Sequence, residues 1–269
     1  KNLVPVTLEL GGKSPVLISR SADIKLAVSR IMLGKTMNAG QICLAPDYLM
    51  VPEEKVDEII AEIRSAVTEM YPTILNNPEY TSVINGRHYQ RLNENIEDAA
   101  AKGAEVICMA PDSEDFSSQT DTYKIPPTVV KNATDDMRIL EEEIFGPLLP
   151  IKTYKDFNET IEYVNSKPRP LAVYYFGKDS REERDVLDRT TSGGVCLNDV
   201  IMHIMQEDLP FGGVGPAGTG SYHGLDGFRN FSHAKAIFKQ AGVNVGKLGG
   251  MLPPYGAATE KTIKMQTKL

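Results

Sequence analysis

At 269 residues, 41% of them hydrophobic and 24% charged, the chain has the composition of an ordinary globular protein with room for one large domain or two small ones. Its 29 basic and 36 acidic side chains leave a net charge of −7, which gives no reason to expect nucleic acid or an anionic membrane as partner. No apolar run approaches the roughly 20 residues of a membrane span, and no stretch reads as a signal peptide.

The chain begins at Lys1, and Val6–Leu10 already reads as a strand running into Gly11-Gly12. This looks like entry partway through a larger fold, so a fragment is expected. A first helix is expected where Ile24, Ala27, Val28 and Ile31 share a face, capped by Ser21 or Asp23. Val56, Ile59, Ile60, Ile63, Val67 and Met70 form a second amphipathic stripe. Tyr89, Leu92, Ile96 and Ala99 form a third, which Gly103 stops. A fourth helix should start at Ser180, whose hydroxyl could pair with Glu183. Short apolar runs at Tyr48–Val51, Glu105–Met109, Leu148–Tyr154, Leu171–Gly177 and Gly194–Asn198 read as strands. Strands alternating with helices predict an α/β fold, with a largely parallel sheet flanked by helices. After Leu209 glycines crowd the sequence, and the segment beyond Ala241 reads as an extended, partly disordered arm.

Three sites could carry chemistry. Cys43 follows Gly40-Gln41-Ile42 just after the first helix. Gly40 would allow a tight turn. A helix or a nest of N–H groups beginning at Cys43 would favour its thiolate and aim a backbone N–H at a developing oxyanion. Taken alone, a single cysteine is more often a buried structural one. Glu9 lies between apolar neighbours before two glycines, where partial burial would raise its pKa and suit it to general-base work; the plain alternative is an exposed strand end. Glu141-Glu142-Glu143 reads as a solvated helix end, except that Ile144-Phe145-Gly146-Pro147 follows at once and fixes Glu143 and Phe145 near a turn. Gly213-Val214-Gly215-Pro216-Ala217-Gly218 matches a dinucleotide fingerprint only in spelling, since Pro216 lacks an N–H and no βαβ unit surrounds it. The odd cysteine count and the absence of zinc-type spacing predict reduced thiols, a cytoplasmic setting and no metal site. Cys108 and Cys196 fall in strands expected to be buried, and are expected to be inert.

Together these segments resemble the aldehyde dehydrogenase superfamily over residues 1 to about 240. Leu8-Glu9-Leu10-Gly11-Gly12-Lys13-Ser14-Pro15 resembles its glutamate signature, and Gly40-Gln41-Ile42-Cys43 its cysteine signature. Glu142-Glu143-Ile144-Phe145-Gly146-Pro147 resembles the segment that holds the nicotinamide ribose, and Pro210-Phe211-Gly212-Gly213 the loop that ends the catalytic domain. Ala45-Pro46-Asp47-Tyr48, Pro168-Arg169-Pro170-Leu171-Ala172, Ser221-Tyr222-His223-Gly224 and the Leu252-Pro253-Pro254-Tyr255-Gly256 tail are similar to the class 3 and coniferyl aldehyde dehydrogenases.

The resemblance implies the family's three-layer catalytic domain. Residues 1–11 would be a strand and hinge from the dinucleotide-binding domain, and 12–216 the catalytic domain. Residues 217–241 would rejoin the cofactor domain, and 242–269 would be the tail. It implies oxidation of an aldehyde, with NAD or NADP, through a Cys43 thiohemiacetal and thioester that a Glu9-activated water hydrolyses. Glu143 would bind the nicotinamide ribose and Phe145 would pack beside the ring; His223 would be structural. The family's dinucleotide-binding domain, which precedes the Glu9 motif, is missing from the sequence, and with it the oxyanion-hole Asn and the Lys that positions the ribose. A homodimer is implied. A CoA-acylating member and a non-catalytic scaffold are the alternatives. Retained Glu9 argues against the first, and Cys43 with Glu9 against the second.

Overall fold

A short strand that is apolar at every position must be covered on both faces, and it must find neighbours for all its backbone groups. The computed structural model, which describes residues 4–119 and 122–267, meets both demands with one sheet between two helical layers; Lys1 lies outside the described residues. In chain order the elements are β1 (Leu8–Glu9), β2 (Pro15–Ile18), α1 (Ile24–Thr36), β3 (Tyr48–Pro52), α2 (Val56–Met70), α3 (Gly86–Ala101), β4 (Glu105–Cys108), β5 (Thr128–Lys131) and α4 (Arg138–Glu141). They continue as β6 (Leu148–Tyr154), α5 (Asn158–Ser166), β7 (Ala172–Phe176), α6 (Ser180–Arg189), β8 (Gly194–Leu197), β9 (Gly218–Thr219), α7 (Gly224–Asn230), α8 (Val245–Leu248) and α9 (Ala257–Gln266).

The main sheet has the order β4-β5-β6-β3-β2-β7-β8, parallel throughout except where β4 runs antiparallel along β5. Strand alternation sends Val16, Ile18, Leu49, Val51, Tyr174 and Phe176 to one face, where they pack with Ile31 of α1 and Ile59 and Ile63 of α2. Leu17, Tyr48, Met50, Val173 and Tyr175 point the other way, into a second core with Leu92 of α3, Ile161 of α5 and Val186 of α6. The α/β architecture expected from the sequence is therefore present.

Several local expectations need correction. Val6–Leu10 is not a strand of the main sheet; only Leu8–Glu9 pairs, antiparallel with β9. The cap of α6 is Asp179, whose carboxylate accepts from the N–H groups of Arg181 and Glu182, so Ser180 is the first helical residue. Asp23, not Ser21, caps α1. Cys108 is exposed, because β4 is an edge strand, whereas Cys196 in β8 is buried. β2, β5 and α5 had no counterpart among the elements read from sequence.

Residues 1–231 form one compact unit and 232–269 a second. The segment beyond Ala241, read as an extended arm, lies in the second unit and contains α8 and α9; the Thr259 and Thr262 hydroxyls donate to the Gly250 and Gly249 carbonyls between them. Among the described residues, no helix is long and apolar enough to cross a membrane.

Candidate active site

Cys43 is placed by a turn that few sequences could make. After α1, Asn38, Ala39 and Gly40 all take positive φ, at 51°, 53° and 71°. A Cβ on Gly40 would lie 2.4 Å from the Gly146 carbonyl oxygen, so glycine is required there on two grounds. Gln41 then hooks the loop to its neighbours. Its amide donates to Asn38 O and Ser82 O at 3.0 Å each, and its Oε1 accepts from Ile84 N–H at 2.9 Å. Beyond the cysteine, the Leu44 carbonyl accepts from the Tyr174 hydroxyl at 2.7 Å and the Pro46 carbonyl from the buried Lys35 ammonium at 2.8 Å.

No helix starts at Cys43; it sits in an irregular turn, half-buried. Its thiol is accordingly pushed up and not down. Burial is the main cause, and the negative charges of Glu9 and Glu143 add to it. The backbone N–H groups of Cys43 and Leu44 pull weakly the other way. The thiolate-favouring environment expected from the sequence is thus corrected, although the two N–H groups do lie by the sulfur.

Glu9 pairs through its backbone with Gly218 and is exposed, so the partial burial expected for it is not found. Glu143 is the carboxylate that burial perturbs upward, opposed by the Gly12 N–H, Lys13 and Arg91, while Asp47 adds to the rise. It lies so close to the Gly11-Gly12 backbone that a Cβ on Gly11 would fall 1.8 Å from its Oε2. Phe145, 39% exposed, takes a φ of +44°, which a residue with a Cβ adopts only when its surroundings impose it.

Those surroundings are a clamp that sequence reading missed. Arg91 of α3 donates to the Ile144 carbonyl at 2.7 Å and to the Glu143 carbonyl at 3.4 Å. Asp47 accepts from the Ile144 N–H at 3.0 Å, and Lys13 donates to the Glu142 and Ile139 carbonyls at 2.8 Å each. Lys13, Asp47 and Ile144 each immediately precede a parallel strand or lie within a few residues of one, namely β2, β3 and β6. The glutamate, cysteine and ribose-type segments therefore converge at the amino-terminal edge of those strands. Lys13 and Asp47 lay inside the quoted motifs, where their like could be found; Arg91 lay on the polar side of a helix stripe, with no local signal.

The Glu9 and Glu143 carboxylates both lie near enough to Cys43 for their charges to raise its thiol. A cavity of about 520 Å³ lies against Gly11, Gly12 and Glu143, walled by Pro168, Arg169 and Pro216. A second, of about 570 Å³, is lined by Glu9, Thr7 and Tyr222. His223 stacks on Phe211 at 5.8 Å between ring centroids, and Cys196 faces His203 at 3.0 Å.

The sequence profile of the aldehyde dehydrogenase family matches residues 1–237. A probable coniferyl aldehyde dehydrogenase from Caulobacter vibrioides is 55% identical over 100% of this chain and 55% of its own length. The structure is similar to that of AldH from Staphylococcus aureus in a substrate-bound state (TM-score 0.85, 38% identity, 98% of this chain and 56% of that one). It is also similar to a betaine aldehyde dehydrogenase from the same organism in complex with NAD+ (TM-score 0.73, 29% identity, 84% of this chain and 45% of that one). The chain spans about half the length of the relatives it matches. A profile match through every one of the segments built above, with a relative so similar along the whole chain, establishes that this protein belongs to the aldehyde dehydrogenase family.

Proposed function

We propose that this chain supplies the catalytic half of an enzyme that oxidises an aldehyde to a carboxylic acid, with NAD or NADP as acceptor. The observation that carries the reading is the convergence of the Cys43 thiol with the Glu9 and Glu143 carboxylates. An aromatic aldehyde of the coniferyl kind is favoured as substrate by the similarity to the Caulobacter vibrioides protein.

The Cys43 thiolate attacks the aldehyde carbon, and the carbonyl oxygen takes up the electron pair. The Cys43 N–H would donate to that oxygen. When bound, the dinucleotide supplies the acceptor for the hydride that leaves this carbon. The chain's residues fit such a group: the Glu143 carboxylate lines a cavity together with Gly11 and Gly12 and would accept from a ribose hydroxyl, and Phe145, two residues on, offers an exposed ring. What remains on Cys43 is a thioester. Glu9, exposed and therefore reachable by water, takes a proton from a water molecule whose oxygen adds to the acyl carbon. The C–S bond breaks, the acid leaves, and Cys43 returns as thiolate.

The test joins this chain to the remaining length of its relatives and follows NADH formation from coniferyl aldehyde. Cys43→Ser should abolish turnover, because a hydroxyl is a far poorer nucleophile near neutral pH. Glu9→Gln should give one burst of NADH and then stall. Near-normal turnover by Cys43→Ser would remove Cys43 from the reaction.

A further inference from the structure

The segment Ser221-Tyr222-His223-Gly224 has no part in the mechanism above, yet it reaches the site. Tyr222 is held firmly. Its N–H and carbonyl exchange 2.8 Å hydrogen bonds with Phe211. Its ring meets Phe211 edge-on at 5.9 Å and His223 edge-on at 4.7 Å. Its side chain opens onto the same space as that of Glu9. The phenol is raised first by burial, then by polar contact with Glu9, and Cys43 is near enough to act on it as well. Tyr222 and Glu9 line the same cavity of about 570 Å³.

Glu9 is in the opposite situation. It stands exposed on a two-residue strand, fixed through its backbone pairing with Gly218. A long carboxylate side chain so placed keeps its rotamer freedom unless something takes it away. A general base must hold its oxygen within hydrogen-bond reach of the water it deprotonates. A rigid phenol beside a mobile carboxylate is suited to supply that constraint.

We propose that Tyr222 is the positioning residue for Glu9: its fixed hydroxyl donates to one Glu9 oxygen and keeps the other turned toward the Cys43 acyl group. This rests on the reading of Glu9 as the hydrolytic base. In the step itself the water proton passes to the free Glu9 oxygen, the water oxygen bonds to the acyl carbon, and the C–S electron pair returns to Cys43. Tyr222 keeps its proton throughout. The attack of Cys43 on an incoming carbonyl makes no use of Tyr222.

The experiment needs no cofactor. The 269-residue chain, with exposed Cys108 replaced by serine, is acetylated at Cys43 with excess p-nitrophenyl acetate. It is freed of reagent and followed by mass spectrometry, with peptide mapping, as the thioester hydrolyses. Tyr222→Phe removes the hydroxyl and keeps the ring packing. It should slow loss of the acetyl group about tenfold, short of the roughly hundredfold that an ångström of misplacement can cost. In a Glu9→Gln background the same substitution should add nothing. The pH profile of Cys43 alkylation by iodoacetamide should not move. If Glu9→Gln is slow but Tyr222→Phe hydrolyses at the parent rate, the role of Tyr222 is overturned while Glu9 stands. If Glu9→Gln hydrolyses at the parent rate, Glu9 is not the base and the proposal falls with it. A Tyr222→Phe chain that shifts the alkylation profile, or that slows the Glu9→Gln chain further, would show a packing role instead.

Discussion

Lys13 and Asp47, 34 positions apart in the sequence, meet at 2.5 Å, and their side chains are only 18% and 4% exposed. The pair is the hub of the site. Lys13 reaches on to the carbonyls of Ile139 and Glu142, and the second Asp47 oxygen takes the Ile144 N–H. One ion pair therefore ties the segments that carry Glu9, Cys43 and Glu143 into a single body. Asp47→Ala leaves a nearly buried ammonium without its partner and an amide without its acceptor. Truncating one side of a buried pair costs about 3–5 kcal/mol. Urea unfolding should show a loss of that order, and Lys13→Met in the Asp47→Ala chain should restore part of it. A loss below about 1 kcal/mol, the range of surface pairs, would deny the hub role.

The acidity of Cys43 gives a second expectation. Burial, Glu9 and Glu143 all favour the neutral thiol, so its alkylation should reach half-maximal rate at a higher pH than that of an ordinary cysteine. Glu143→Gln removes one negative charge and should lower that midpoint. The measurement is the rate of iodoacetamide labelling at Cys43 across pH, read by peptide mass. A midpoint below that of a free cysteine would mean that the N–H groups of Cys43 and Leu44 outweigh burial.

Much of the fold was legible in the sequence, for a physical reason. Buried parallel strands such as Ala172–Phe176 are apolar throughout, and the stripe from Val56 to Met70 repeats at helical spacing. β2 escaped notice because its four residues abut a glycine-rich motif, and β5 because two valines between polar neighbours are too short a signal. The candidate site divides in the same way. Cys43, Glu9 and Glu143 could be singled out by type and context. Arg91 could not, since its partners are the carbonyls of Glu143 and Ile144, more than fifty residues away, and a backbone acceptor leaves no mark in sequence. Burial misled twice: Glu9 turned out exposed, and Cys43 half-buried against two carboxylates.

Lys35 makes stability depend on pH. It is fully enclosed beneath the cysteine loop, and burial lowers its ammonium from 10.5 to about 7, with Lys13 helping and Asp47 and Glu143 opposing. Below about 7 the folded chain carries the whole cost of a buried charge. Between about 7 and 10.5 the unfolded chain binds more protons than the folded one, so this group's contribution rises with pH. Tyr80 and Tyr174, pushed up by burial, act in reverse once unfolded phenols ionise near about pH 10. The urea midpoint should therefore climb from about pH 7 to about pH 9, and Lys35→Met should flatten that climb. An unchanged slope in Lys35→Met would place the titration elsewhere.

β8 ends the main sheet, with β7 on one side and no strand paired to its other edge among the described residues. Exposed strand edges recruit further strands. Light scattering of the concentrated chain should show a dimer, and Val195→Pro, which removes an N–H from this edge, should shift it toward monomer. A monomer at all concentrations would rule out pairing at this edge.

The 269-residue chain alone should fold, yet it should form no NADH from NAD and aldehydes. Its sheet has helices on both faces and two closed cores, enough for independent folding. The dinucleotide is another matter. Within this chain it would meet Glu143 and Phe145, and the glycine-rich stretch at 213–218 offers no cradle for its pyrophosphate. Pro216 has no N–H there, and Gly213 is already packed so tightly that a Cβ would lie 2.1 Å from the Ala217 carbonyl oxygen. Two side-chain contacts do not offset an association cost on the order of 4–15 kcal/mol. The resemblance implies an Asn as a further oxyanion donor, and a reaction run without one such donor is slower by a factor of roughly 10²–10³. Cys43 should nonetheless alkylate, since it is half-buried and not sealed. Mixing the purified chain with NAD and a range of aromatic and aliphatic aldehydes, and following NADH absorbance, decides the matter. Saturable NADH formation, lost in Cys43→Ser, would show that residues 1–269 hold the cofactor unaided and that the cavity beside Glu143 binds far more of it than a ribose.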